Sequence, residues 1–150
     1  MIYLGADHRG FELKEKLKKF LESIDFDYKD LGAYEKNEKD DYTDFSADVA
    51  RFVRMEKDNR GIVICGSGVG VDIICNKHFD IRCGLCFNKQ VAELARKHTA
   101  INICAIPADF VSFDVAKDIV ITFLKTDFSF EDQHSRRLAK IIRIEENKLP

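Results

Sequence analysis

Short apolar runs alternate along this chain with amphipathic stretches of helical period. The clearest apolar run is 61–65, where three β-branched residues lead into a cysteine, a pattern that predicts a strand buried on both faces. The clearest helical pattern is 10–23, where apolar residues recur every three or four positions and lysines occupy the other face. In chain order, the predicted strands are 1–6, 26–31, 61–65, 81–86 and 101–106, and the predicted helices are 10–23, 44–55, 69–77, 88–97, one from 112 or 114, and 133–146.

Strands that alternate with helices predict an α/β fold, with a five-stranded parallel sheet covered by helices on both faces. The 150 residues suit one domain, 1–150, and contain no linker or internal repeat. The pattern leaves the strand order open. If the order is the common 2-1-3-4-5, the first and third strands flank the point where ligands bind. Asp7, His8 and Cys65 would then face one another across a single crevice.

Three glycines at alternate positions follow the third strand. Gly66, Gly68 and Gly70 allow a sharp turn that exposes a row of backbone N–H groups, so the loop is suited to hold an anion or a developing negative charge. Cys65 stands at the lip of this loop, where such donors would favour the reactive thiolate. A tight turn without a ligand and a buried packing thiol are the alternatives. The spacing fits neither the dinucleotide fingerprint nor the phosphate-binding P-loop.

Two histidines and an aspartate are further candidates. Asp7 either caps the following helix or binds a ligand, and His8 has no apolar surface to fill, which favours a polar role. His98 directly follows a predicted helix, where a surface histidine stabilised by the helix dipole is the alternative. Because helices of a parallel α/β domain run back against the strands, His98 lies at the sheet edge opposite Cys65. A second subunit would have to bring His98 to the Cys65 site.

Composition excludes several classes of function. The chain has 24 lysines and arginines against 26 acidic residues, a balance that argues against nucleic-acid and membrane-surface binding. No apolar run approaches the roughly 20 residues that span a bilayer, and the N-terminus lacks a signal-peptide pattern, so a cytoplasmic location is expected. The basic residues near the end of the chain form either a solvated helix face or a phosphate-binding site; they are Arg136, Arg137, Lys140 and Arg143.

The cysteine pattern indicates reduced thiols. There are five cysteines, an odd number, and most lie in apolar runs, which is typical of a protein from a reducing compartment. Cys83 and Cys86 have C-x-x-C spacing but no second pair, so a structural zinc site is disfavoured.

Taken together, these motifs resemble those of the type B ribose-5-phosphate isomerases, in the ribose/galactose sugar-phosphate isomerase family. The likeness covers nearly the whole chain. One shared motif, D-Y-T-D, has threonine where the family has proline. In addition, His98 and Arg137 stand where the family has functional residues. The shared motifs are G-A-D-H-R-G-F at 5–11, D-L-G at 30–32, D-Y-T-D at 41–44, and C-G-S-G-V-G at 65–70 with N-K at 76–77.

The resemblance implies a Rossmann-like three-layer α/β/α sandwich with no metal or organic cofactor. It implies a homodimer or tetramer with sites at the subunit interface, and a C-terminal helix, about 133–146, at the dimer interface. The implied enzyme is an intramolecular oxidoreductase of the pentose phosphate pathway that interconverts ribose 5-phosphate and ribulose 5-phosphate through an enediolate.

The resemblance also implies roles for individual residues. Cys65 would move the proton between C1 and C2, and His98 would open the furanose ring. Ser67, where threonine is usual, keeps its hydroxyl in a loop whose N–H groups would hold the enediolate oxygen. The implied substrate ligands are Asp7 for sugar hydroxyls, His8 and Arg137 for phosphate, and Gly66, Ser67, Gly68, Val69, Gly70, Thr99 and Gln133.

Three positions depart from the family pattern. Thr99 stands where asparagine is usual, Asp109 where an arginine contacts phosphate, and Gln133 where a basic residue is usual. The residues expected to carry out the reaction are intact, but two basic residues of the expected phosphate-binding set are missing. Their loss matters, because charge-assisted contacts are strong. Either Arg136 and Lys140 compensate or the substrate is held differently. The alternatives are another aldose phosphate (galactose 6-phosphate or allose 6-phosphate), a catalytically silent phosphosugar-binding module, and a flavodoxin-like nucleotide binder.

Overall fold

The computed structural model of the chain describes residues 1–147, so the last three residues of the predicted domain lie outside the described residues. In this range the strands are β1 (Ile2–Ala6), β2 (Tyr28–Asp30), β3 (Arg60–Cys65), β4 (Cys83–Leu85) and β5 (Ile103–Pro107). They form a parallel sheet at the centre of the molecule, in the order β2-β1-β3-β5-β4. The α/β fold with five parallel strands is confirmed.

The strand order differs from 2-1-3-4-5 at one place, because β5 lies between β3 and β4. β5 is buried along its whole length, which suits a central strand, whereas β4 has three half-buried residues and forms the edge. β1 and β3 are neighbours, as the expected crevice requires, with Ala6 opposite Ile64. Cys65 therefore lies between the carboxyl ends of β1 and β5, opposite Pro107.

Helices cover both faces of the sheet. Within residues 1–147 they are α1 (Phe11–Ser23), α2 (Tyr42–Val53), α3 (Val69–Cys75), α4 (Lys89–Thr99), α5 (Phe113–Lys125) and α6 (Asp132–Glu145). One hydrophobic cluster joins α1, α4 and α5 to one face, a second joins α2 and α3 to the other, and α6 packs against α4. Since strand side chains alternate, Ile64 faces the first cluster and Cys65 the second.

Local capping explains where α4 begins and ends. The side-chain oxygen of Asn88 accepts a hydrogen bond from the Val91 N–H at 2.9 Å, as predicted for an N-cap. The helix ends at Ala100, whose backbone is left-handed with φ of 51°. The short strand β4 begins at Cys83 although its apolar run starts at Ile81, because Ile81 is buried in a turn outside the ladder. No helix of the described chain is both long and apolar enough to cross a membrane.

Candidate active site

The predicted cysteine lies beneath the glycine loop at the carboxyl edge of the sheet. Cys65 is the last residue of β3, and 4% of its surface is exposed. The backbone N–H of Gly68 donates a hydrogen bond to its Sγ at 3.2 Å. The thiol is more enclosed than a position at the lip implies, but an amide donor points at the sulfur.

The glycines of this loop are required by close approaches. Gly68 is left-handed, with φ of 73°, and a Cβ there would meet the Leu85 side chain and lie 3.1 Å from the Pro107 nitrogen. A Cβ on Gly66 would lie 2.6 Å from Arg9 Nε and 2.7 Å from a carboxylate oxygen of Asp109. The loop is therefore packed between β4, β5 and two charged side chains.

Arg9 and Asp109 form an ion pair directly over Gly66. They follow the carboxyl ends of β1 and β5, and the Asp109 backbone N–H donates to the Gly66 carbonyl at 3.0 Å. The exposed fractions of the two side chains are 58% and 36%, so the pair adds little to stability. Its consequence is electrostatic: the Asp109 carboxylate, which alone would repel a phosphate, is paired with a guanidinium.

The rest of the loop is partly engaged with itself and with Tyr42. Ser67 is exposed, and its hydroxyl accepts the N–H of Val69 at 3.3 Å. The ring of Tyr42 lies against Gly70, where a Cβ would come within 2.6 Å of ring carbons. Two of the predicted oxyanion donors, the N–H groups of Gly68 and Val69, thus have partners within the loop.

Asp7 and His8 lie at the end of β1, beside the loop. The Oδ1 atom of Asp7 accepts the backbone N–H groups of Arg9 and Gly10 at 3.0 and 2.9 Å, so Asp7 caps the turn into α1. The His8 ring is half-buried, and its Nδ1 lies 2.6 Å from Oδ1 of Asp40. This arrangement adds a carboxylate that the sequence did not single out.

A second group of predicted residues lies around the carboxyl end of α4. The His98 ring stacks on the ring of His134, with centroids 4.1 Å apart. His134 is the buried residue of α6, and its Nδ1 lies 2.6 Å from the Ser129 hydroxyl. The Thr99 hydroxyl donates to a carbonyl of its own helix at 2.6 Å. The remaining two are exposed: Gln133, which donates to Glu131 at 3.1 Å, and Arg137.

A buried arginine fixes the last turn of α4. Arg96 donates hydrogen bonds to the carbonyls of Ile101 and, at 3.0 Å, Thr126. Burial, followed by the repulsion of the nearby Arg60, lowers the pKa of Arg96 to about 10, so it stays charged at neutral pH. These bonds tie the end of α4 to the segment that leads into β5 and to the chain after α5, which sets the position of His98.

The two groups lie at opposite edges of the sheet. α4 ends just before Ile103, the first residue of β5, whereas Cys65 pairs with Pro107, the last. Four residue steps of strand separate these ends by about 13 Å. In residues 1–147 no hydrogen bond or ring contact joins Cys65 to His98. One chain therefore holds the predicted site residues in two separate groups, which we call half-sites, as the opposed directions of helix and strand predict.

The C-x-x-C cysteines do not form a pair. Cys83 packs with the second hydrophobic cluster and Cys86 with the first, so they lie on opposite faces of the sheet. Burial and the neighbouring Cys75 raise the pKa of Cys83 well above its usual value. All five cysteines are free thiols, and the described residues hold no group of three metal-type ligands.

Sequence reasoning missed four residues at these half-sites. Asp7 and His8 were selected because they follow the carboxyl end of the first strand. Arg9 is the next residue, so the same reasoning could have selected it. Tyr42 lies in the D-Y-T-D motif, which was noted without a role for the tyrosine. Asp40 and His134 carry no sequence signal, because long-range packing creates their contacts with the two predicted histidines.

The fold and the half-sites define a class: a parallel α/β protein with a cysteine and a glycine loop at the carboxyl edge of its sheet. The sequence model of the family described as Ribose/Galactose Isomerase matches residues 2–141. A probable ribose-5-phosphate isomerase B of Mycoplasma pneumoniae is 37% identical over 147 residues, covering 98% of this chain and 96% of that protein. Ribose-5-phosphate isomerase B of Mycobacterium tuberculosis is 35% identical over 137 residues, covering 91% and 85%.

The solved structures that resemble this chain come from the same family as its sequence relatives. Ribose-5-phosphate isomerase B of Clostridium thermocellum matches with a TM-score of 0.92 and 40% identity, over 99% of each chain. The Mycoplasma genitalium enzyme with bound ribulose-5-phosphate matches with a TM-score of 0.93 and 37% identity, over 97% of this chain and 95% of that one. The chain belongs to the ribose/galactose isomerase family, and it is an isomerase.

Proposed function

We propose that this isomerase interconverts ribose 5-phosphate and ribulose 5-phosphate at the carboxyl edge of its sheet. The names of its relatives and the ribulose-5-phosphate in the Mycoplasma genitalium structure support this substrate. The single observation that carries the mechanism is the Gly68 N–H, 3.2 Å from the Cys65 sulfur. A backbone donor in this position stabilises negative charge on a thiolate.

The reaction is a proton transfer within the open-chain sugar. Cys65, as thiolate, takes the proton from C2 of the aldose, and the electron pair of that bond moves into an enediolate whose charge develops on O1. The thiol returns the proton to C1, and the proton of the O2 hydroxyl passes to O1, so that C2 becomes the ketone and O1 a hydroxyl. The loop around Ser67 and Gly70 would stabilise the enediolate oxygen. No external oxidant or reductant enters the balance.

The carboxyl edge also has the charges that a sugar phosphate needs. His8 and Arg9 are basic side chains on one side of the loop, and Asp7 would meet sugar hydroxyls. Arg9 compensates the Asp109 carboxylate. Arg137 would add a further cation from the second half-site, on the exposed face of α6.

The two half-sites would combine across a homodimer. α6 exposes Ile141, Ile142 and Ile144, with 41%, 37% and 63% of their surfaces accessible, a pattern that favours burial against another chain. A groove of about 450 Å³ beside this helix is lined in part by Ile81 and Ile101. In the dimer, His98 of one chain would open the sugar ring at the Cys65 site of the other. The free thiols and the phosphorylated substrate fit a cytoplasmic location.

The test is an assay of ketose formation from ribose 5-phosphate by the purified protein. Cys65→Ala should lower kcat by about 10²- to 10⁴-fold, because it removes the proposed base. Cys86→Ala is the matched control, since Cys86 is a buried thiol on the other face of the sheet and should retain kcat. Unchanged turnover in Cys65→Ala would remove Cys65 from the mechanism.

A substrate panel tests the choice of sugar. Ribose 5-phosphate should have a higher kcat/KM than galactose 6-phosphate, allose 6-phosphate and unphosphorylated ribose. A hexose phosphate with the highest kcat/KM would keep the reaction class and replace the substrate.

A further inference from the structure

His8 makes two hydrogen bonds to one carboxylate oxygen that lies 32 residues away in the chain. Its Nδ1 is 2.6 Å from Oδ1 of Asp40, and its backbone N–H donates to the same atom at 3.1 Å. Because a carboxylate only accepts hydrogen bonds, Nδ1 must carry the proton. Nε2 is then the ring nitrogen left for a ligand.

The Asp40 carboxylate is held in a largely dry position. Its side chain is 8% exposed, although residues 34–39 just before it are exposed. Within residues 1–147, its Oδ2 is the one buried side-chain oxygen or nitrogen without a hydrogen-bond partner. The bonds to His8 are therefore the main compensation for burying this charge, and charge-assisted bonds of this kind orient side chains strongly.

We propose that Asp40 is a positioning residue that holds Nδ1 of His8 as a donor and fixes the direction of the ring, so that Nε2 faces the phosphate of the substrate. When phosphate binds, His8 is the imidazolium, which donates from Nδ1 to Asp40 and from Nε2 to a phosphate oxygen. Asp40 balances the charge of the imidazolium, just as a carboxylate behind a metal-bound histidine orients that ring. This inference rests on the proposed function and deepens it.

A purely structural role would look different. Asp40 could serve only to tether residues 34–39 to the end of β1. In that case its removal would lower thermal stability and leave the phosphate affinity and the His8 tautomer unchanged. The readouts must therefore separate phosphate binding from folding.

The kinetic test compares Asp40→Ala and Asp40→Asn with the control Glu38→Gln. Asp40→Ala should raise KM for ribose 5-phosphate, and the inhibition constant of inorganic phosphate, by about 5- to 20-fold, with kcat within about twofold. Asp40→Asn keeps an acceptor and loses the charge, so its values should be intermediate. Glu38 is exposed and lies in the same loop. Glu38→Gln removes one negative charge, as Asp40→Asn does, but leaves the contacts of His8 in place, so this variant should match wild type.

The spectroscopic test is ¹⁵N NMR of the histidine rings, with His8→Gln to assign the His8 signals. Wild type should show the Nδ1–H form without phosphate and both nitrogens protonated with it. Asp40→Ala should lose the Nδ1–H preference. The inference would be overturned if Asp40→Ala had the same His8 signals and the same phosphate inhibition constant as wild type, even with a lower melting temperature. If wild type lacks isomerase activity, the proposed function fails, and phosphate titration followed by NMR still decides the role of Asp40.

Discussion

At the scale of single residues, the glycine loop shows how sequence spacing becomes chemistry. Alternating glycines predict a tight turn, and the structure shows which neighbours require it. Gly68 has φ of 73° and approaches β4 and β5, and its N–H reaches the Cys65 sulfur. In the proposed mechanism, stability and catalysis would therefore depend on the same backbone atoms.

Gly68→Ala should be destabilising and should impair turnover together. A left-handed non-glycine residue costs about 1–3 kcal/mol of unfolding free energy, and here the methyl group also meets Leu85. Urea unfolding and the isomerase assay measure the two effects. Gly84→Ala is the matched control, because the backbone of Gly84 is not left-handed and a Cβ placed there would lie 3.3 Å from its nearest neighbours, two side-chain carbons of Ile101. Equal losses in both variants would contradict the special role of Gly68.

The Arg9–Asp109 pair leads to a prediction about phosphate binding at the proposed site. Asp109→Asn removes a negative charge near the site and frees Arg9, so KM for ribose 5-phosphate should fall about two- to fivefold at low salt. Arg9→Ala should raise KM. The kinetics of unphosphorylated ribose serve as the control and should change little in either variant. A rise in KM for Asp109→Asn would show that the carboxylate holds the substrate.

At the scale of elements, a buried ion pair joins α1 to the end of β2. Lys14 is fully buried, and its Nζ lies 2.6 and 2.5 Å from the two carboxylate oxygens of Asp30. Burial alone would raise the pKa of Asp30, but hydrogen bonds from two lysines and from the Gly32 N–H outweigh it and hold the pKa below the usual value of an aspartate. The pair anchors the chain that leads towards Asp40.

This lowered pKa predicts acid sensitivity. A depressed carboxyl pKa contributes stability that is present above the unfolded value of about 3.9 and is lost as pH falls through the folded value. Asp30→Asn should therefore be much less stable than wild type at pH 7, and the gap should shrink towards pH 2.5. Urea unfolding across that range measures the gap. A gap for Asp30→Asn that does not change with pH would refute the prediction.

Element types could be predicted from the sequence because period and capping are local. The run at 61–65 and the cap at Asn88 lie where expected. The place of β5 in the sheet could not be predicted, since it depends on which strand is buried by both helical layers. The same limit applies to the site. Cys65 is marked by its loop, whereas the partner of His8 comes from an exposed stretch without any period.

At the scale of the whole molecule, the separation of the half-sites is the feature that most constrains the mechanism. Cys65 and His98 lie at opposite edges of one sheet, and the exposed isoleucines of α6 lie beside the His98 half-site. A closed two-fold dimer would create two equal sites, each with residues from both chains. Isomerisation of a cyclic sugar would then be a property of the dimer.

Mixed dimers purified through two different tags test this directly. A dimer of a Cys65→Ala chain with a His98→Asn chain has one complete site if the residues act across the interface, so it should convert ribose 5-phosphate at about half the wild-type rate. The control dimer joins wild type to a chain carrying both substitutions, and it should be nearly inactive. The reverse pattern, an inactive first dimer and a half-active control, would contradict a site shared between subunits.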